Sequence, residues 1–363
     1  MSVLVRLPHG LMRRYLSFLE RIIVAAGLAG LVFTLVNSLP VYPPNWDLVI
    51  LALVFVVALW WPGVAYFIAV AAVVYPLYTL SLYIAVLFLA LALLGQRVFI
   101  HNLGATLLVL ATPWLAGYNL AWIVPLLGGL WWGARGGAWM GGLAALWGQV
   151  LAGMAGLSPD WLALTGTSPT MAGVAQRFGE ANSLETLELI LEPLVPDATL
   201  LLYYLLQVIA WAVTGGVVGF MADRVWVQHH RPWGTLALGV VGAFALLGAH
   251  LGLGLWLEQH SLAALSAAWP ALITTTLVVA AVVSVLEGMR DFLEHPLPPP
   301  PRRRPARPAY PEGSGSRQPA RRASQRDAGQ DGKTGRSPLP VPAQLPDWGP
   351  ADDPEDLIML ELD

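Results

Sequence analysis

The feature that most constrains this chain is a recurrence. Apolar runs of about 20 residues follow one another between Ile22 and Glu287, with almost no charge inside them. Wound as a helix at about 1.5 Å per residue, such a run matches the roughly 30 Å hydrocarbon core of a bilayer. Membrane-spanning strands would instead alternate over about ten residues, and no such pattern occurs. Composition agrees: 56% of residues are hydrophobic and 12% charged. Charge is also segregated, since residues 1–294 carry 10 Lys/Arg and 13 Asp/Glu while the last 69 carry 10 and 10. The fold class is therefore all-α, a polytopic transmembrane bundle of eight to ten helices with a disordered cytoplasmic tail.

Five regions follow. Residues 1–21 form a basic cytoplasmic N-terminus (Arg6, His9, Arg13, Arg14, Arg21), and 22–157 a first membrane block. Residues 158–197 form an extracytoplasmic segment, 198–294 the last three membrane helices, and 295–363 the tail. The first apolar run, ending near Leu39, reads as an uncleaved signal anchor that keeps the basic N-terminus inside. The block from Leu48 to Gln96 fits two full helices or three short ones, with Pro62 and Pro76 as candidate breaks. Leu103 to Trp132 fits one tilted helix or two short ones about a polar turn at Gly117–Asn119. In the ten-helix count Arg97 and His101 emerge on the cytoplasmic side with the basic cluster Arg224, His229, His230 and Arg231, which the positive-inside rule prefers. Within 158–197, Asn182-x-x-Glu185 is a capping box opening a short amphipathic helix, with Leu184, Leu187 and Leu191 at helical spacing and Glu185, Glu188 and Glu192 beside them.

Cysteine is absent, which excludes thiolate nucleophiles, disulfides and iron–sulfur clusters. No His-Glu-x-x-His, phosphate-binding Gly-Lys loop or nucleophile elbow occurs. No catalytic residue, metal site or cofactor is assigned, and no nucleic-acid partner is expected. Polar residues inside apolar runs face protein or water, so Asn119, Gln149, Gln207 and His250 are the candidate solute-contacting groups.

A glycine ladder, Gly129, Gly133, Gly137 and Gly141, repeats every four residues and lets backbones approach closely. Arg135 interrupts it, so two helices should meet at a tight turn, Gly133-Ala134-Arg135-Gly136. Further small-residue faces run through Ala212 and Gly216, Gly215 and Gly219, and Gly248 and Gly252. The stretch from Leu126 through Leu143 resembles the Gly-rich helix hairpin of the substrate-binding (S) components of energy-coupling-factor (ECF) transporters. In the first helix, Ala25-x-x-x-Ala29 resembles the face by which S components dock on their coupling subunit. The resemblance implies a solute-binding transporter subunit with coupling subunits as partners. Helix number and the long tail depart from that family, and receptor modules of some bacterial sensor kinases contain a similar hairpin.

The tail holds 15 of the 29 prolines. Its basic part, residues 302–336, begins with Arg302, Arg303, Arg304 and Arg307, where anionic headgroups would attract each by about 1 kcal/mol. Residues 337–363 carry seven acidic and no basic residues. Among those acids stand Leu357, Ile358, Met359, Leu360 and Leu362, a docking peptide for a cytoplasmic protein. Two functions are thus expected of a multi-pass protein of the plasma membrane with both termini inside: a small-molecule-binding transporter subunit or, alternatively, a non-catalytic scaffold or sensor whose tail recruits a partner.

Overall fold

The computed structural model describes residues 15–39, 41–179, 181–230, 233–257 and 259–294. The basic residues at 6–14, the Arg302–Arg307 cluster and the apolar peptide at 357–362 lie outside them. The described residues form twelve helices and no strand: α1 (Leu16–Ser38), α2 (Trp46–Trp60), α3 (Pro62–Leu80), α4 (Leu82–His101), α5 (Leu103–Gly117), α6 (Ile123–Met154), α7 (Met171–Phe178), α8 (Ser183–Leu191), α9 (Ala198–Ala222), α10 (Val225–His229), α11 (Trp233–Trp256) and α12 (Leu262–Glu294). Six of them, α1, α3, α4, α9, α11 and most of α12, are long and apolar enough to cross a membrane. The chain is an integral, multi-pass membrane protein in contact with lipid.

The breaks fall where the backbone demands them. The first is at Trp61, with Pro62 opening α3, where a missing N–H costs nothing. The second is at Ser81 and not at Pro76, which is buried inside α3. The region 48–96 is thus three helices. After α5 a Schellman motif reverses the chain: Leu120 N donates to Leu115 O and Asn119 N to Ala116 O, with Asn119 left-handed at φ 60°. Within α6 the chain turns again at Gly133, φ 69° and ψ −172°, so that the helix is a hairpin of two arms. The turn falls where the ladder and Arg135 place it.

Ten segments then alternate between two faces: α1 to α5, the two arms of α6, α9, α11 and α12. One face carries Trp61, His101, Gly133 and α10, as Gly63 against Ile100 and Gly133 beside Asp223 require. The other carries Ser81, Gly117, residues 155–197 and the link between α11 and α12, as the Ser81–Thr186 and Asp160–His260 contacts require. Arg97, His101, Arg135, Arg224, His229 and His230 lie on the first face; Asp160, Glu185, Glu188, Glu192 and Asp197 lie on the second.

The arms of α6 and helix α9 touch backbone to backbone. A Cβ on Gly129, Gly137 or Gly141 would stand 2.5, 2.3 and 2.5 Å from Gly215 O, Gly215 O and Trp211 O respectively. Gly216 makes an ordinary contact with Ala138. Gly248 and Gly252 face open space, so the third small-residue pair is not a packing face. Ala25 and Ala29 are buried in a core formed by α1 with α2, α3 and α5, which occupies that face within the chain itself.

Candidate functional site

Helix α6 ends in a second Schellman motif, Leu157 N to Ala152 O, with Gly156 left-handed at φ 76°. This turn sends residues 157–166 back into the helix bundle. Trp161 goes deepest: its Nε1 donates to Ala145 O at 3.2 Å, nine residues before the end of α6, a depth of about 13 Å. Gly148 makes room for the ring, since a Cβ there would lie 2.3 Å from Trp161 Cζ2. That depth is reached by the indole; the non-helical backbone that carries it turns in among the helix ends, where it persists only if buried in protein or lining a polar cavity. Here Gly166 N donates to Ala116 O, and Ser168 packs on Gly117, tying the segment to α5.

The segment carries one carboxylate. Asp160 is 5% exposed, and its Oδ1 accepts from Leu162 N at 3.1 Å, Tyr203 Oη at 3.0 Å and Gln207 Nε2 at 2.7 Å. Its Oδ2 meets His260 Nε2 at 2.7 Å. A carboxylate only accepts, so Gln207 must present its amide nitrogen, which turns Oε1 toward Gln149 Nε2 at 3.2 Å and Trp161 N at 3.4 Å. Gln149 Nε2 also donates to Tyr204 O at 3.2 Å. Loop, α6, α9 and the α11–α12 link are thereby joined through one aspartate.

Burial pushes the Asp160 carboxyl upward, but the hydrogen bonds from His260, Gln207 and Leu162 N outweigh it and hold the group below the usual carboxylate range. The hydrogen bond to Asp160 lifts His260 above the usual imidazole value, against partial burial. Both shifts describe an ion pair, and its histidine is the accessible half: the His260 side chain is 25% exposed, that of Asp160 6%.

Beneath lies an aromatic layer. Trp161 leans on Trp211 at 4.4 Å between ring centroids, Trp211 Nε1 donates to His250 Nε2 at 2.9 Å, and His250 stacks on Trp122 at 5.6 Å. Among the described residues His250 Nδ1 has no partner. Of the four polar residues singled out by sequence, Gln149 and Gln207 belong to the Asp160 cluster and His250 to the layer below it. Asn119 does not belong: it makes the α5–α6 turn, and its Oδ1 accepts from Thr275 Oγ1 at 3.1 Å.

Asp160, His260, Tyr203 and Trp161 were not legible as site residues. The one signal was Ser-Pro-Asp-Trp directly after an apolar helix, which marks a turn without its direction. Over the site's flank, α8 has the expected capping box between Asn182 and Glu185. Its inward residues, however, are Thr186, Leu189 and Ile190, while Leu187 and Leu191 are exposed. The alternative face wins because Thr186 reaches Ser81. Helix α7 was not expected; Thr170 caps it, and Met171, Val174 and Phe178 bury one face. Arg177 locks the region by donating to Gly153 O and Glu192, each at 3.0 Å.

Among the described residues no group of three or more His, Asp or Glu is placed to hold a metal. No family model, no curated protein and no solved structure matches this chain.

Proposed function

We propose that this chain is a non-catalytic membrane subunit that binds a small solute at the Asp160 cluster, reached from the face carrying residues 155–197. The observation that carries the reading is the re-entrant segment itself, which sets a charged carboxylate about 10 Å below the N-terminus of α9. Desolvating a carboxylate costs several kcal/mol even when it is paired, on the order of what a helix scaffold could keep by leaving the position apolar. Ionised side chains are retained at such depth mainly where they act on something that enters. In this reading the glycine-rich helices are a rigid wall beside the site, since α9 fills their groove. The basic residues of the opposite face orient that face, and both termini, toward the cytoplasm of a cell whose plasma membrane holds the protein. Coupling subunits of the kind implied by the resemblance to ECF S components would dock on a surface other than Ala25 and Ala29.

The full chain, purified in mild detergent, is screened by mass spectrometry for co-purified metabolites and by thermal shift against amines, amino acids, sugars, vitamins and carboxylates. One class should raise the unfolding temperature, by about 2.7 kcal/mol of stabilisation at a hundred times its dissociation constant. Asp160→Asn should lose that response while still unfolding cooperatively. A panel to which wild type and Asp160→Asn respond alike, with no co-purified metabolite, removes the proposal.

A further inference from the structure

We infer that the solute is a small organic cation, a protonated amine about the size of an imidazolium ring, and that His260 occupies its place in the unliganded protein. This rests on the solute-binding reading above.

The two oxygens of Asp160 are held unequally. Oδ1 is saturated by three donors from the loop itself and from α9, whereas among the described residues Oδ2 has the His260 ring alone. Withdrawing His260 therefore leaves a carboxylate still fixed in position, with one oxygen free on the side that reaches the surface. His260 is suited to withdraw. It stands on the short link between α11 and α12 and is the partly exposed member of the pair. Its ring rests on bare backbone at Gly254, where a Cβ would lie 3.0 Å from His260 Cδ2.

The place the imidazolium occupies is itself a cation site. The Tyr203 ring meets the His260 ring edge-on at 6.2 Å, and the Trp161–Trp211 pair lies deeper. What would recognise an ammonium group there is the fixed carboxylate, with Tyr203 lining the place as a neighbour at a steep angle and not as a face beneath the cation. Among the described residues, the other polar groups near the pair are Tyr203 and Gln207 on α9 and Ser158 on the loop, none of them a cation. An anionic solute would meet the carboxylate with His260 as the one described cation in contact with it, since Arg177 is engaged by Gly153 O and Glu192. An inorganic divalent ion would lack a second carboxylate among the described residues.

Since the ring and the ligand compete for Oδ2, the ligand binds the form in which His260 is neutral. Apparent affinity should rise about tenfold per pH unit while His260 is mostly protonated, and level off once it is not. The probes are ethylammonium and imidazolium, with acetate, glycerol and sodium as comparisons, titrated by calorimetry into the full chain in detergent between pH 5 and pH 9. Ethylammonium should bind with that slope. His260→Gln, which retains every Oδ1 partner, should bind it at pH 5 at least tenfold tighter than wild type and lose the slope. Binding of acetate or glycerol that depends on Asp160 overturns the cation assignment and leaves solute binding intact. So does sodium binding in place of the amines. Weaker amine binding by His260→Gln than by wild type overturns the displacement by itself. No binding by any probe, together with a silent metabolite screen, removes both readings.

Discussion

Replacing Gly137 by alanine tests the backbone contact between the α6 hairpin and α9. The added Cβ would stand 2.3 Å from Gly215 O, 2.6 Å from Gly129 Cα and 2.7 Å from Gly129 N. All three are backbone atoms, so no side chain can rotate away. Reaching even the 3.4 Å lower edge of ordinary contact requires the segments to part by about 1 Å. That separation would also loosen the contacts of Gly129 and Gly141 with the same helix. Such overpacking costs about 3 kcal/mol, at the upper end of what small-to-large changes usually cost. The better helix propensity of alanine returns about 1 kcal/mol, leaving a loss of about 2 kcal/mol. Gly248→Ala is the control, because nothing lies within 4 Å of its Cβ and propensity alone should stabilise it, by up to about 1 kcal/mol. Thermal unfolding in detergent, followed by circular dichroism, should place Gly137→Ala roughly 5 °C below wild type and Gly248→Ala slightly above it. If both variants unfold at or above the wild-type temperature, the two elements are not in backbone contact and the reasoning fails.

The Asp160–His260 pair gives stability a defined pH dependence. His260 is raised, so its contribution is complete below the ordinary imidazole value of about 6.5 and is lost as pH climbs through its own higher value. Asp160 is lowered, so its contribution is present above the ordinary carboxylate value of about 3.9 and is lost as pH falls through its own lower value. Unfolding temperature measured against pH should fall on the alkaline side in wild type, and His260→Gln should lack that fall. Gly148→Leu should evict the Trp161 ring, whose Cζ2 lies 2.3 Å from the Cβ position, and so shift tryptophan emission to the red; unchanged emission would place the indole elsewhere. Asn119→Gly keeps the left-handed φ of 60° and should lose only the bond from Thr275 Oγ1, about 1 kcal/mol, while Asn119→Val should lose about 1–2 kcal/mol more from strain, read by the same thermal assay. Deleting residues 352–363 should leave unfolding unchanged and remove any cytoplasmic partner captured with the full chain; an unchanged partner list ends the docking-peptide reading.

What the sequence determined is what short-range physics determines. Length and apolarity made helices, because a backbone in hydrocarbon must satisfy its own hydrogen bonds. Glycines at intervals of four around Arg135 marked a hairpin, and Asn182 with Glu185 marked a cap, since both signals are contained within a short stretch of chain. Tertiary structure decided the direction of the chain after Gly156. Nothing in Ser158-Pro159-Asp160-Trp161 says that the segment turns inward; that depends on the space Gly148 leaves and on Gln207 and Tyr203, more than 40 residues away, being there to receive the carboxylate. The partner of Asp160 lies 100 residues further along. Gln149, Gln207 and His250 could be picked out because a polar side chain is conspicuous in an apolar run. Asp160 and His260 sit in polar stretches where a charge is ordinary, and only folding turned that ordinary charge into a pair with its carboxylate buried.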